Sequence, residues 1–92
     1  METLTLNDGT VVENAITIKA YIGLWIHLMT GYSFSEAYSM FSDPEKTIKI
    51  VSDKTEPHTP TQPTVYDGFT DLFSIRREDD GEIVIGLQEV DQ

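Results

Sequence analysis

The chain has 92 residues, 39% of them apolar, no cysteine, and 16 Asp and Glu against 6 Lys and Arg, a formal net charge of −10. That length holds a single domain, 1–92, burying roughly 60–65% of the surface its unfolded chain exposes; without a thiol, neither a disulfide framework nor a thiolate metal site can support so small a core. The charge disfavours direct nucleic-acid binding, whose affinity comes largely from Lys and Arg on phosphates, and favours a protein partner with a basic surface.

From Met1 to Leu6 the chain alternates, Leu4 and Leu6 on one side and Thr3 and Thr5 on the other, which is the period of a half-buried strand. The start is acidic and alternating, unlike an export signal, and the longest apolar stretch, Tyr21 to Met29, is far short of the about 20 residues a bilayer needs. The chain reads as soluble and cytoplasmic, with no membrane partner. Asn7-Asp8-Gly9 breaks the first strand as a hairpin turn, and Thr10 to Glu13 is the return. Ala15 to Ala20 alternates again, Ile16 and Ile18 against Thr17 and Lys19; it is either another strand or an extension of the second after a bulge. Leu24 to Thr30 is apolar on both sides and reads as a central strand.

Gly31-Tyr32 ends the strand pattern. Ser33 and Glu36 have the spacing of a capping box, and Phe34, Ala37, Tyr38 and Phe41 follow at i, i+3, i+4 and i+7, one apolar helical stripe that Ser42-Asp43-Pro44 terminates. Docking of Phe34, Tyr38 and Phe41 on a sheet is what such a short helix needs, because alone it is marginal in water. Thr47 to Val51 is a further strand. Residues 52–64, with Pro57, Pro60 and Pro63 at the three-residue spacing of polyproline II, read as an exposed, semi-rigid loop. Phe69 to Arg77 and Glu82 to Val90 form a last pair of strands across Glu78-Asp79-Asp80-Gly81, a second Asp-Gly hairpin, and the tail Asp91-Gln92 should fray. The fold class is α+β: an antiparallel sheet of about five to seven strands built from hairpins, with one short helix packed on one face. Its expected core is Leu4, Leu6, Ile16, Ile18, Leu24, Trp25, Ile26, Leu28, Phe34, Tyr38, Phe41, Ile48, Ile50, Phe69, Phe73, Ile83 and Ile85.

Catalytic patterns are thin. The histidines are His27, inside an apolar strand and best satisfied by a hydrogen bond there, and His58, solvated beside the prolines; neither accompanies a nucleophile motif. Asp53, Glu56 and His58 match no established metal spacing, the acidic turn lacks the ligand order of an EF-hand, and the scattered glycines form no phosphate loop. The expectation is no enzyme, no metal and no cofactor. Acids instead crowd the end of the chain: Asp67, Asp71, Glu78, Asp79, Asp80, Glu82, Glu89 and Asp91 against Arg76 and Arg77. A row of carboxylates on a hairpin either keeps a small protein soluble or imitates a phosphate row that Lys and Arg of a partner would hold. The candidate partner-binding residues are Glu78, Asp79, Asp80 and Glu82, extended by Asp67 and Asp71. An exposed sheet edge also offers self-association into a homo-oligomer.

The stretches Leu4 to Thr10, with its Asn-Asp-Gly turn, Ser33 to Thr47, a short helix closing on Asp-Pro-Glu-Lys-Thr, and Gly68 to Leu72, opening on Gly-Phe-Thr, together resemble a group of small phage and prophage proteins of Gram-positive bacteria. The resemblance covers most of the chain apart from the proline-rich segment, which departs from the pattern, and it brings no active site with it. It implies either an accessory phage protein that inhibits a host protein, such as an anti-CRISPR or other counter-defence factor, or a minor virion or tail-assembly component. The acidity favours the inhibitor.

Overall fold

Both Asp-Gly pairs close the hairpins their sequence calls for, and in the same way. In the first, the Gly9 amide donates to the Leu6 carbonyl at 2.9 Å and the Leu6 amide to the Thr10 carbonyl at 2.8 Å; in the last, Gly81 donates to Glu78 at 3.0 Å and Glu78 to Glu82 at 2.7 Å. Each loop is a tight turn followed by a residue in the left-handed region, φ +92° at Gly9 and +90° at Gly81, which a side chain would strain.

The computed structural model describes residues 1–90. In chain order it contains β1 (Glu2–Thr5), β2 (Val11–Lys19), β3 (Leu24–Leu28), α1 (Phe34–Phe41), α2 (Pro44–Thr47), β4 (Lys49–Glu56), β5 (Thr59–Asp67), β6 (Asp71–Arg77) and β7 (Ile83–Gln88). The seven strands form one antiparallel sheet in the order β5-β4-β1-β2-β3-β7-β6, so the fold is α+β with two short helices. Among the described residues no helix is long and apolar enough to cross a membrane. Flat, six strand spacings of about 4.8 Å would set the edge strands about 29 Å apart. Yet only Gly68, Phe69 and Thr70 join β5 to β6, and four Cα steps reach at most about 15 Å. The sheet must therefore coil on itself, and the coil encloses the core of Leu4, Leu6, Val12, Ala15, Leu24, Ile26, Leu28, Ile50, Tyr66, Ile83, Ile85 and Leu87.

Ala15 to Lys19 is the continuation of β2 past a bulge. Leu4 pairs with Val12 but Glu2 with Ala15, so Glu13 and Asn14 both oppose Thr3, and Asn14 takes φ +59°. The Tyr32 hydroxyl fills the gap in the ladder, accepting from the Glu13 amide at 2.8 Å and donating to its carbonyl at 3.1 Å. The extra residue reverses the parity of everything after it. Ala15 and Thr17 face the core, while Ile16 and Ile18 lie on the outer face, 37% and 51% exposed, contrary to their expected burial.

The helix forms as its caps dictate: the Ser33 hydroxyl accepts from the Glu36 amide at 3.1 Å and the Glu36 carboxylate from the Ser33 amide at 3.2 Å, a cap worth about 1 kcal/mol. Its docking differs from expectation. Ala37 and Phe41 are buried with Met40 against them, whereas Phe34 and Tyr38 are exposed. The small Ala37 side chain lets the helix approach the sheet, which turns Phe41 inward and the other two aromatics outward. Asp43 then caps α2, its carboxylate accepting from the Glu45 amide at 3.0 Å. Ile48, at the end of α2, is exposed rather than core. Asn7 secures α2 to the first hairpin, its amide donating to Lys46 and its side chain to Glu45.

Residues 52–64 are hairpin rather than loop. β4 runs on to Glu56 and β5 starts at Thr59, carrying Pro60 and Pro63 on the sheet's edge. Proline lacks the amide a central strand needs but is tolerated on an edge, where it also blocks further pairing. The last two strands are shorter than expected, with Phe69 and Thr70 in the link before β6 and Glu82 in the turn before β7. The tail Asp91-Gln92 lies outside the described residues.

Candidate functional site

The six acids singled out from the sequence occupy two places, not one. Glu78, Asp79 and Asp80 form the β6–β7 turn, whereas Asp67 ends β5 and Asp71 starts β6, opposite Lys49 and Gln88 respectively. Asp71 and Arg77 bound a seven-residue strand, so about 20 Å separates the two groups. Asp67 and Asp71 therefore do not extend the acidic turn.

Within the turn the acids differ. Asp79 is exposed. Asp80 Oδ1 accepts the Glu82 amide at 2.9 Å, and Glu78 Oε1 accepts from Arg76 Nε at 2.6 Å. The Glu82 carboxylate is hydrogen-bonded to His27 Nδ1, which gives the strand histidine its partner. In the opposite hairpin the Thr10 side chain and amide hold the Asp8 carboxyl below the usual carboxylate range. Of the remaining acids, Glu89 is exposed and Asp91 lies outside the described residues.

His27 and Arg76 flank the same residue, Val84, on neighbouring strands, so both belong to the outer face of the sheet. On that face Ile16 lies beside His27, Ile18 beside Trp25, and Trp25 beside Gly86. Gly86 has no Cβ for a reason of space: one built there would meet the Phe73 ring at 2.8 Å and the Trp25 ring at 2.9 Å. The two rings close over it edge to face, centroids 5.2 Å apart. Phe73, expected in the core, is 38% exposed at a bulge in β6 and shares the outer face with the exposed Ile16 and Ile18 and with Trp25, which was also expected in the core and is half-buried here.

A second polar arrangement lies inside the coil. Glu2 is only 9% exposed, and its carboxylate accepts the Thr17 amide at 2.7 Å, the Thr17 hydroxyl at 2.5 Å and the Ser52 hydroxyl at 2.6 Å. Because Thr17 spends its only hydroxyl proton on Glu2, Tyr66 must be the donor in the 3.0 Å bond between the Tyr66 and Thr17 oxygens. Ser52 in turn accepts the Lys54 amide at 3.0 Å, while Lys54 Nζ reaches the Thr17 carbonyl at the same distance. Each oxygen of the buried acid is thus occupied, Oε2 by the Thr17 amide and Oε1 by the Thr17 and Ser52 hydroxyls. The network fastens the first strand between the two halves of the coiled sheet. Its signal in the sequence is parity: Glu2 alternates in phase with Leu4 and Leu6, the core face.

Among the described residues no three acids and histidines gather closely enough to hold a metal ion. Asp53, one of the sequence's candidate ligands, instead accepts the Thr3 amide at 3.0 Å. Comparison of the chain with protein-family models, curated proteins and solved structures finds no match.

Proposed function

We propose that the chain is a non-enzymatic, acidic protein-binding module that engages a partner with a basic surface. In the phage setting that the sequence resemblance implies, the partner is a nucleic-acid-binding host protein, and the chain inhibits it as a counter-defence factor of the anti-CRISPR kind. One observation carries the reading: among the described residues only Glu78 pairs with a Lys or Arg, and most of the 16 acids are exposed with no such countercharge of their own. Lysines and arginines of a partner would supply that countercharge, with fast association and steep dependence on salt. The β6–β7 turn is the favoured contact, since Asp79 and Asp80 stand exposed at its tip.

The test is charge reversal at each acidic group separately. Asp79→Lys is expected to weaken partner binding about tenfold, the scale of one lost interfacial charge pair, with the melting temperature unchanged because the side chain is exposed and takes part in none of the side-chain hydrogen bonds or ion pairs among the described residues. Asp71→Lys, at the far end of β6, should change affinity little. Equal affinity for Asp79→Lys and the native chain, measured by titration calorimetry, removes the turn from the account.

A further inference from the structure

β6 is an open edge of the sheet. The order β5-β4-β1-β2-β3-β7-β6 gives it one neighbour, β7, and although three residues link it to β5 the two share no ladder. Along its free side runs a groove of about 360 Å³, between residues 70–75 and the side chains of Tyr38 and Ser42 at the end of α1. Hydrogen bonding alternates along an antiparallel pair. The Glu78 amide donates to Glu82, so Arg76 opposite Val84 and Ser74 opposite Gly86 also turn toward β7, whereas Ile75 opposite Ile85 and Leu72 opposite Leu87 turn their amides and carbonyls to the open side. Among the described residues no backbone group outside the ladder bonds to them. These four polar groups call for a strand.

We propose that the strand is β6 of a second copy, paired antiparallel about a twofold axis that passes between Phe73 and Ser74 and joins the two sheets edge to edge. In that register Leu72 lies opposite Ile75 of the copy and Ile75 opposite its Leu72, and each pair exchanges two N–H···O bonds. The bulge at Phe73 is what turns these two residues, three apart in the chain, to the same edge and the same inner face; the copy has the same interval, so both pairs form at once. Charge selects the occupant. Asp71, opposite Gln88, and Arg76, opposite Val84, are exposed on the outer face, and the twofold axis sets each against the other residue of the copy. Asp71 is in no ion pair among the described residues, and Glu78 engages Arg76 through Nε, which leaves the terminal guanidinium nitrogens for the carboxylate across the axis. A strand of a basic partner would instead set cations against Arg76 and Arg77, and like charges directly opposite one another disfavour pairing. The other edge cannot supply the strand as well, since Pro60 and Pro63 of β5 lack amides. The contact is therefore isologous and closes at two chains.

The experiment is sedimentation equilibrium of the whole chain at roughly 150 mM NaCl, where the screening length is about 8 Å and the net charge of −10 on each copy is largely screened. Asp71→Arg and Arg76→Asp are measured separately and then as an equimolar mixture. Each variant alone sets like charges against one another at both pairs, and its dimer dissociation constant is expected to rise about tenfold. In the mixture the heterodimer regains opposite charges at both pairs, and its dissociation constant should return to within about threefold of the native value. Both side chains are exposed, so neither variant should unfold the chain. Amide exchange followed by NMR locates the contact: Leu72 and Ile75 should gain about tenfold protection as the native chain is concentrated, while Ser74 and Arg76, already bonded to β7, should change little. A chain that stays monomeric to about 0.5 mM overturns the proposal, as does a mixture that associates no better than its components, or a dimer in which the Leu72 and Ile75 amides gain no protection. So does a monomer in which those two amides become protected only when a different protein is added, since a strand of that protein would then occupy the edge.

Discussion

Phe41→Ala is expected to destabilise the chain by about 3–5 kcal/mol, the range for emptying a buried phenylalanine site. Phe41 is 1% exposed and is the largest fully buried side chain among the described residues. It is also the residue that keeps α1 in place, because an eight-residue helix does not persist in water by itself. For a domain whose total stability is of order 5–14 kcal/mol, that loss is a large fraction of the whole. Tyr38→Ala provides the comparison. Read from helical periodicity, Tyr38 and Phe41 rank alike, yet Tyr38 is 52% exposed and its truncation should cost less than about 1 kcal/mol. Urea unfolding of both variants decides between the two rankings, and similar midpoints would mean that α1 docks through the other side of its stripe.

The second large effect is expected at Glu2. Glu2→Leu keeps the bulk of the side chain but strips the acceptor from the Thr17 amide, the Thr17 hydroxyl and the Ser52 hydroxyl, all buried. Each orphaned donor costs about 1–3 kcal/mol, offset in part because a carboxylate no longer has to be desolvated. The net loss should be about 2–4 kcal/mol. Glu2→Gln retains one acceptor but aims an amide at a donor, and it should fall between the native chain and Glu2→Leu. If Glu2→Leu unfolds at the native urea concentration, the network is not what fastens β1 between β2 and β4.

What the residues declared in advance and what they hid divide along physical lines. Features fixed within a few residues were legible: both Asp-Gly turns, the Ser33–Glu36 capping box, the stop at Pro44 and the alternation of β1 all depend on local backbone geometry. Features fixed by parity were not. A bulge before Ala15 was one of the two readings the sequence allowed, but not its consequence, that the extra residue sends Ile16 and Ile18 outward and Thr17 inward. Once Thr17 faces inward it meets Glu2, and the polar interior follows from the same displaced residue. The segment around Pro60 and Pro63 was hidden for a different reason, since proline bars a central strand and the sequence does not say which strands are edges.

The acidic site was half legible. Charge density picked out Asp79 and Asp80 correctly as exposed, but one-dimensional proximity joined them to Asp67 and Asp71, which the length of β6 holds apart. Cross-strand capture of Glu82 by His27 was beyond reach for the same reason: 55 residues separate them in the chain, and only the β3–β7 pairing brings them together.

The most direct test of the central claim is capture from a lysate of a Gram-positive bacterium on the tagged chain, eluted through rising salt, with each fraction identified by mass spectrometry. A basic, nucleic-acid-binding protein that stays at low salt and leaves steeply between roughly 0.1 and 0.5 M NaCl, as screening removes the attraction, is the result expected of an acidic inhibitor. Capture whose release ignores salt, or recovery only of phage tail and capsid proteins from an infected lysate, would contradict it and turn the reading toward a structural component of the virion.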